Sequence, residues 1–357
     1  MWRPKKTVLI IAGGVAICAI AGAALVYSGF RRSEAADASD PPELLSEVPP
    51  GAPTLIYADL AAIRASTFYQ QRPDRGPIAL PDHDYADFVQ STGFDFERDL
   101  NQVVIASWPD GLSQEKKKTI MVANGRFDHK KIRDYALRKG KVDHQDGREV
   151  FLFPTDNLSA GDAPTGKPST GSLPVTKQAN WNSVTFLNDH RIAIVEGASI
   201  APLLGLFEVS AGGDPARERA ARVAGAAVFA ITRVPAIPEN FSPGGPQSAQ
   251  LMSLARSVQW ITLAGRPEGS NLRVSLEGEC QSATEARTLQ AALELFRLIG
   301  RAGLESSKTR ESMDPAALEV LETALKTADV SATAERVRIL VELTPDILKL
   351  NGPRKSQ

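Results

Sequence analysis

Residues that could bind a metal or act in acid–base chemistry are sparse in this chain of 357 residues. The densest group is "PDHDYAD", residues 81–87, where Asp82, His83, Asp84 and Asp87 together could hold a hard cation. Acidic residues at the start of a helix also complement the helix dipole without any metal. We favour this second interpretation and predict no metal site.

The remaining histidines and the one cysteine outside the N-terminal apolar run offer little more. His129, His144 and His190 complete the set of four histidines, and no two of the four have a spacing suited to chelation. Cys280 falls on the apolar side of a predicted strand, so we expect a buried small residue rather than a nucleophile.

Two stretches imitate catalytic motifs. "GDAPTGKP", residues 161–168, matches a phosphate-binding P-loop up to Pro168, which supplies neither the hydroxyl nor the N–H that the loop needs. "VEGASIAPLL" places Ser199 between a strand and a helix, but Ala201 replaces the second glycine of a nucleophile elbow. We therefore predict a loop at the first stretch and a helix cap or turn at Ser199.

A basic patch could contact acidic lipid headgroups or polyanions. We place its first part, residues 116–118, in a hairpin connection and its second part on the following helix. Its members are Lys116, Lys117, Lys118, Lys130, Lys131, Arg133, Arg138 and Lys139. A solvated face is the favoured interpretation, because the formal net charge is -1 and no aromatic residues are interleaved for stacking nucleic-acid bases.

These residues support two functional hypotheses. The favoured one is a non-catalytic binding or scaffold protein with no catalytic, cofactor-binding or metal site, whose partner is a protein, a lipid or a glycan and not a nucleic acid. The alternative is an envelope hydrolase whose residues converge from distant positions in a cleft between two halves of the chain, with Asp59, Asp82, His83 and Ser199 as candidates.

The elements that must position these residues show one-sided alternation. In "NLRVSLEGEC", residues 271–280, Leu272, Val274 and Leu276 share one side and polar residues share the other, which we expect to face solvent. Ser282 and Glu285 form a capping box that predicts the start of the following helix. The apolar stripe of this helix is predicted to lie in the core. The stripe comprises Leu289, Ala292, Leu293, Phe296 and Ile299. Strands of this kind predict an α+β fold of antiparallel sheet covered by helices.

The order of elements occurs twice. Residues 54–66 correspond to 227–239, the hairpin and helix of 103–137 correspond to 258–293, and the last strands of 184–204 correspond to 332–350. Residue identity between the copies is low, so the prediction of two tandem, weakly similar halves rests on this order.

An apolar run near the N-terminus, Thr7–Tyr27, has 21 residues without a charge and is long enough to span a bilayer as a helix. It exceeds a signal-peptide core, and the nearest A-x-A site, at residues 36–38, follows Arg31 and Arg32. We expect a transmembrane anchor with a cytoplasmic N-terminus, since three basic residues precede the run and two follow it.

The resulting organisation has seven segments. They are a cytoplasmic tail (1–6), the anchor (7–30), a stalk rich in proline and acidic residues (31–53), a first α+β half (54–210) with a mobile loop (154–180), a connector (211–225), a second α+β half (226–350) and a tail (351–357). Ordered structure is expected to begin at "TLIYADL", residues 54–60.

The anchor, the stalk, the opening "VPPGAPTLIYADLAAIRAS", the segment "YADFVQSTGFDFERDLNQVVIA" at 85–106 and the duplicated body resemble single-pass, membrane-anchored envelope proteins of acidobacteria-like bacteria, which carry a domain of unknown function. The resemblance implies location and architecture alone. It places the bulk of the chain in the periplasm, tethered to the inner membrane through Thr7–Tyr27.

Overall fold

The computed structural model describes residues 42–71, 83–110, 113–154, 181–204, 213–235, 256–304 and 315–345. The strands in these ranges are β1 (Thr54–Asp59), β2 (Leu100–Asp110), β3 (Ser113–Gly125), β4 (Lys141–Gln145), β5 (Arg148–Pro154), β6 (Trp181–Asn188), β7 (Arg191–Glu196), β8 (Val228–Arg233), β9 (Val258–Glu268), β10 (Asn271–Cys280), β11 (Asp329–Thr333) and β12 (Arg336–Leu343). The helices are α1 (Leu60–Ala65), α2 (Thr67–Gln70), α3 (His83–Thr92), α4 (Phe96–Asp99), α5 (His129–Lys139), α6 (Pro215–Arg222), α7 (Ala283–Leu304) and α8 (Pro315–Thr327). Two 3-10 helices span Glu43–Glu47 and Ala201–Leu204.

The strands form one twelve-stranded sheet in the order β11-β12-β10-β9-β8-β1-β2-β3-β7-β6-β5-β4. Every pairing in this sheet is antiparallel. The α+β class and the antiparallel sheet covered by helices are thus confirmed. The pair of β1 and β8 lies next to the middle of the sheet, with four strands beyond β8 and six beyond β1. The strands follow the order β1-β2-β3-β7-β6 on one side of this pair and β8-β9-β10-β12-β11 on the other.

One side of the sheet, the helical face, packs against α5, α7 and α8. Ala136 of α5 packs with Val103 and Phe151, and Val320 of α8 packs with Val274. Ala286 at the start of α7 packs in the cluster that contains Cys280 and Ile339. Alternation places these apolar residues on the same side of their strands, which is why the helices can cover them.

The other side, the open face, is covered around its centre by shorter elements. Leu44 of the first 3-10 helix, Ile200 and Ala220 of α6 join one apolar cluster over β1, β2, β3, β7 and β8. The strands β10 and β12 carry charged residues on this face instead. The predicted connector, 211–225, therefore contains a helix that packs on the sheet.

The prediction that order begins at residue 54 is wrong, because the last part of the predicted stalk belongs to the core. Leu44 and Leu45 are buried on the open face. A side-chain nitrogen of Arg191 lies 2.7 Å from an Oε1 of Glu43, and Arg191 also pairs with Glu47. The proline content of this segment suggested a spacer, but its leucines pack against the sheet and its glutamates bind β7.

Local predictions fare differently along the chain. The hairpin followed by a helix at 103–137 is confirmed. Strand β3 begins at Ser113, so residues 116–118 lie in a strand and the placement in a connection is wrong. Phe296 and Ile299 of α7 are exposed, so the predicted apolar stripe is core only in its first half, where Leu289 and Leu293 pack.

Several predictions fall on residues outside the described ranges. These are the anchor at Thr7–Tyr27, residues 155–180 of the predicted mobile loop, which include "GDAPTGKP", and Asp82. Within the described ranges, no helix combines the length and the apolar composition needed to cross a bilayer.

Candidate functional site

The largest concentration of interacting charges on the open face involves β10 and β12. Alternation along β10 places Glu277 and Glu279 on this face, and the register sets Arg338 opposite Glu277 and Arg336 opposite Glu279. Directly opposed residues of antiparallel strands have neighbouring side chains, so each carboxylate faces a guanidinium.

Helix α6 adds two more arginines to the same place. The helix begins after Asp214, whose carboxylate accepts a hydrogen bond of 3.2 Å from the backbone N–H of Arg217, and Pro215 follows the cap. Arg219 and Arg222 lie three residues apart and therefore on one side of the helix. Both side chains reach Glu279.

Trp260 of β9 forms the floor beneath Arg219. The register places Trp260 opposite Glu279, and the guanidinium carbon of Arg219 lies 4.2 Å from the centre of the indole ring. A guanidinium over an indole face is stabilised by the ring quadrupole. Arg219 is 8% exposed, so it is a buried part of the cluster rather than a surface charge.

We call the set formed by Arg219, Arg222, Arg336, Arg338, Glu277 and Glu279 the arginine surface. Arg338 Nη2 lies 3.1 Å from Glu277 Oε2, and Arg222 Nη2 lies 3.0 Å from Glu279 Oε2. Arg222 and Arg336 each approach Glu277 Oε1 at 3.7 Å.

The arginine surface has more positive than negative charge. Its four guanidiniums surround two carboxylates, which leaves a formal charge of +2 (4 − 2). The Glu277 side chain is 11% exposed, whereas those of Arg336 and Arg338 are 34% and 47% exposed. Exposed guanidiniums present planar sets of N–H donors that match carboxylate and phosphate oxygens. The arrangement can therefore bind anionic groups.

The protonation of Glu279 links this surface to stability. Burial alone would raise the pKa of Glu279, but a hydrogen bond from Arg222 and the charges of Arg219 and Arg222 lower it below its usual value. A carboxylate with a depressed pKa in the folded state contributes stability above its unfolded pKa, which is about 4.3, and loses that contribution as pH falls below it.

We expect Glu279→Gln to lower the free energy of unfolding by about 1.5–3 kcal/mol at pH 7, because hydrogen bonds to charged groups are lost. The difference from the wild type should shrink as the pH falls below about 4, where the unfolded-state carboxyl is already protonated. Urea unfolding at pH 7 and pH 3 measures it. A difference that is the same at both pH values would contradict the role of the charged form.

The residues of the hydrolase hypothesis are not brought together where the structure describes them. Asp59 ends β1 and caps α1, accepting a hydrogen bond of 2.7 Å from the N–H of Ala62. Ser199 follows β7 and accepts a hydrogen bond of 3.1 Å from the N–H of Ala201, in keeping with the prediction of a cap or turn. Strand β1 is antiparallel to β2, β2 to β3 and β3 to β7, so β1 and β7 run in opposite directions. Asp59 and Ser199, which lie at the C-terminal ends of these two strands, are therefore at opposite ends of the strands in the sheet. The side chain of His83 lies outside the described residues.

Two histidines border an open depression of about 660 Å³ at the end of β3. His129 Nε2 lies 3.2 Å from the backbone oxygen of Asp189, and its ring stacks on Phe186 with centroids 3.8 Å apart. His190 lies in the turn before β7, whereas His144 lies in β4. Across the described residues, no group of three or more potential metal ligands occurs.

The predicted basic patch is largely neutralised on α5. At the start of α5, Lys130 pairs with Asp134 and Lys131 pairs with Asp128. Further along the helix, Arg133 pairs with Glu149 and Lys139 pairs with Asp87. These contacts support a solvated face. The side chains of residues 116 and 117 lie outside the described residues.

Cys280 is buried, as predicted, at 3% exposure, and burial raises the pKa of its thiol. The arginine surface, by contrast, was missed: the sequence placed Glu277 and Glu279 on a solvent-facing side of β10. The alternation of Arg336 and Arg338 with apolar residues in β12 indicated that the two arginines share one face of that strand. The register that sets them opposite Glu277 and Glu279 cannot be predicted from the sequence of either strand alone.

Comparison with known proteins gives no family. No protein-family model and no curated protein matches the chain. The similar solved structures include crystal forms III, I and IV of TP0453, at 11%, 10% and 11% identity with TM-scores of 0.43, 0.38 and 0.43. The alignments cover 87%, 88% and 87% of this chain and 96%, 97% and 95% of those chains. Similarity at this level carries no argument about what the chain does.

Proposed function

We propose that the protein is a membrane-tethered, extracytoplasmic binding or scaffold protein of the bacterial envelope, without catalytic activity, and that its arginine surface binds an anionic partner. The partner is an acidic protein, a lipid headgroup or a glycan. The observation that carries the proposal is the excess of guanidiniums over carboxylates within the arginine surface, with Arg336 and Arg338 reaching solvent.

The geometry favours binding over a purely structural ion-pair network. Glu277 and Glu279 hold the guanidiniums in place, and Arg219 is buried over Trp260, so the inner charges are ordered before a ligand arrives. A preorganised site loses less entropy on binding than mobile side chains would.

We further propose that the body consists of two tandem, weakly similar halves. The support is the matching strand order on the two sides of the β1 and β8 pair, together with a helix after β3 and another after β10. The extra hairpin of β4 and β5 belongs to the first half alone. Duplication of an α+β unit would place β1 and β8 at equivalent positions on either side of the centre of one sheet.

The tethered location rests on the sequence. The uncharged run Thr7–Tyr27 precedes the first described residue, Pro42, and has the length of a membrane-spanning helix. Extraction of membranes with alkaline carbonate tests this part of the proposal: a spanning chain stays in the pellet, whereas a chain released to the supernatant contradicts the anchor.

Binding tests the arginine surface. The full-length chain in detergent is titrated with three soluble probes, polyglutamate for acidic proteins, hyaluronate for carboxylated glycans and inositol hexakisphosphate for phosphate headgroups. Each exposed arginine near an anionic surface contributes about 1 kcal/mol, so R336A/R338A should weaken binding of the preferred probe roughly 30-fold.

Arg133→Ala is the matched control, because its side chain is 50% exposed and paired with Glu149 on α5. This variant should bind as the wild type does. If none of the probes binds, or if R336A/R338A binds like Arg133→Ala, the proposal is wrong.

A further inference from the structure

The second half of α7 exposes large apolar side chains that the described residues do not cover. Leu295, Phe296, Leu298 and Ile299 are 56%, 40%, 55% and 57% exposed. The first half of the helix is packed: Leu289 and Leu293 contact the cluster around Cys280. Contiguous exposed apolar surface of this kind marks an interaction site.

The exposed residues form a continuous uncharged stripe. At 100° per residue, the four large side chains fall within an arc of about 160° around the helix. Between residues 288 and 303 this arc contains no charged residue. Its other exposed members are Thr288, Ala291, Ala302 and Gly303. On the opposite side of the helix, Gly300 lies against Leu325 of α8.

The width of the stripe argues against a second helix as its partner. A two-helix seam uses only every third and fourth residue, a narrower band than this one. A flat apolar medium covers a wide arc without leaving Phe296 or Ile299 exposed. The stripe therefore suits the boundary between lipid headgroups and acyl chains.

Charge at the border of the stripe points to the same partner. The exposed Arg287 and Arg301 lie along one border, with Glu294 between them. In an antiparallel pairing of two copies centred on Glu294, Arg287 would face Arg301 and the two Glu294 side chains would face each other, and like charges repel. Two basic residues beside an apolar stripe complement anionic headgroups.

The length of chain outside the structure keeps a bilayer within reach. Fourteen residues, 28–41, separate the end of the apolar run from Pro42, and this length spans at most about 50 Å when extended. A tether of this length gives a local concentration on the order of millimolar, at which even a weak lipid contact is occupied. This step rests on the proposed anchor.

We propose that the exposed half of α7 lies in the headgroup region of the membrane that holds the anchor, with Leu295, Phe296, Leu298 and Ile299 directed at the acyl chains. The helix is a second, peripheral contact with the same bilayer. It holds one side of the body against the membrane and leaves the arginine surface, on the opposite face of the sheet, directed away from that contact.

A spin label tests the lipid contact. Ile299→Cys is labelled in the full-length chain with Cys18→Ala, while the native Cys280 is buried and protected from labelling. The chain is reconstituted into vesicles of phosphatidylglycerol and phosphatidylcholine, and relaxation by oxygen and by a water-soluble nickel complex is compared. Leu137→Cys is the matched control, since Leu137 is a 50% exposed leucine on α5.

In pure phosphatidylcholine vesicles, the label at residue 299 should be accessible to the nickel complex. In vesicles that also contain phosphatidylglycerol, the same label should become accessible to oxygen instead, and R287E/R301E should abolish this shift. The label at residue 137 should stay nickel-accessible throughout. A label at residue 299 that behaves like the one at residue 137 overturns the proposal, as does shielding from both agents with crosslinking between two copies.

The outcome is distinguishable from failure of the proposed function. Retention of the chain after alkaline carbonate extraction, together with a water-exposed residue 299, overturns the lipid contact of α7 and leaves the anchor standing. Release of the chain by carbonate overturns the anchor itself. Binding of the soluble anionic probes reports on the arginine surface independently of both results.

Discussion

Phe229→Ala is expected to lower the free energy of unfolding by about 3–5 kcal/mol, the cost of removing a buried aromatic side chain. Phe229 is 2% exposed in β8, and its ring stacks on Tyr57 of β1 with centroids 5.2 Å apart. The two residues face each other across the pair of β1 and β8, so the cavity would form where the strands that follow β1 join the strands that follow β8.

The same variant tests whether the sheet unfolds as one unit. Because β1 and β8 are hydrogen-bonded neighbours in a continuous sheet, we expect a single transition. Unfolding is followed by far-ultraviolet circular dichroism and by tryptophan fluorescence, which samples Trp108 in β2, Trp181 in β6 and Trp260 in β9 together with Trp2 near the N-terminus. Phe296→Ala is the control, since Phe296 is 40% exposed and its truncation should cost far less. Separate transitions for the two probes would contradict one cooperative sheet.

Leu44→Ala should lower the free energy of unfolding by about 2–4 kcal/mol. Leu44 is 2% exposed and packs in the central cluster of the open face, so its truncation removes buried contacts from the core. A residue in a solvated stalk would tolerate the same change with little effect. Urea denaturation of the full-length chain measures the difference.

Leu137→Ala makes the same chemical change at an exposed position of α5, where Leu137 is 50% exposed. Its effect should stay within about 0.5 kcal/mol, as for most surface substitutions. Equal costs for the two variants would show that residues 42–53 do not contribute to the core. A larger loss of unfolding free energy for Leu44→Ala than for Leu137→Ala would show that the ordered body begins well before β1.

The class of fold could be predicted because it depends on local periodicity. Leu272, Val274 and Leu276 alternate with polar residues, and this pattern predicts a strand with one apolar side whatever its neighbours are. The cap at Ser282 was equally local: Ser282 Oγ accepts a hydrogen bond of 3.3 Å from the N–H of Glu285.

Packing at a distance could not be predicted in the same way. Leu44 lies in a stretch rich in proline and acidic residues, and only its contacts with the sheet place it in the core. Phe296 and Ile299 follow the helical period of Leu289 and Leu293, yet the described residues provide no partner that covers them. Periodicity predicts which residues share a side of a helix, but not whether anything lies against that side.

The sequence by itself determined the elements, their apolar sides and an uncharged run long enough to span a membrane, because these depend on residues close together in the chain. Only the tertiary structure decided that Glu277 meets Arg338 and that Arg219 and Arg222 of α6 reach Glu279. Those contacts join residues about 60 positions apart, and they require the register of β10 on β12 and the docking of α6 on the open face. Register and docking are properties of the whole sheet, because the alignment of two strands is fixed by the need to place the apolar residues of both on the same buried face.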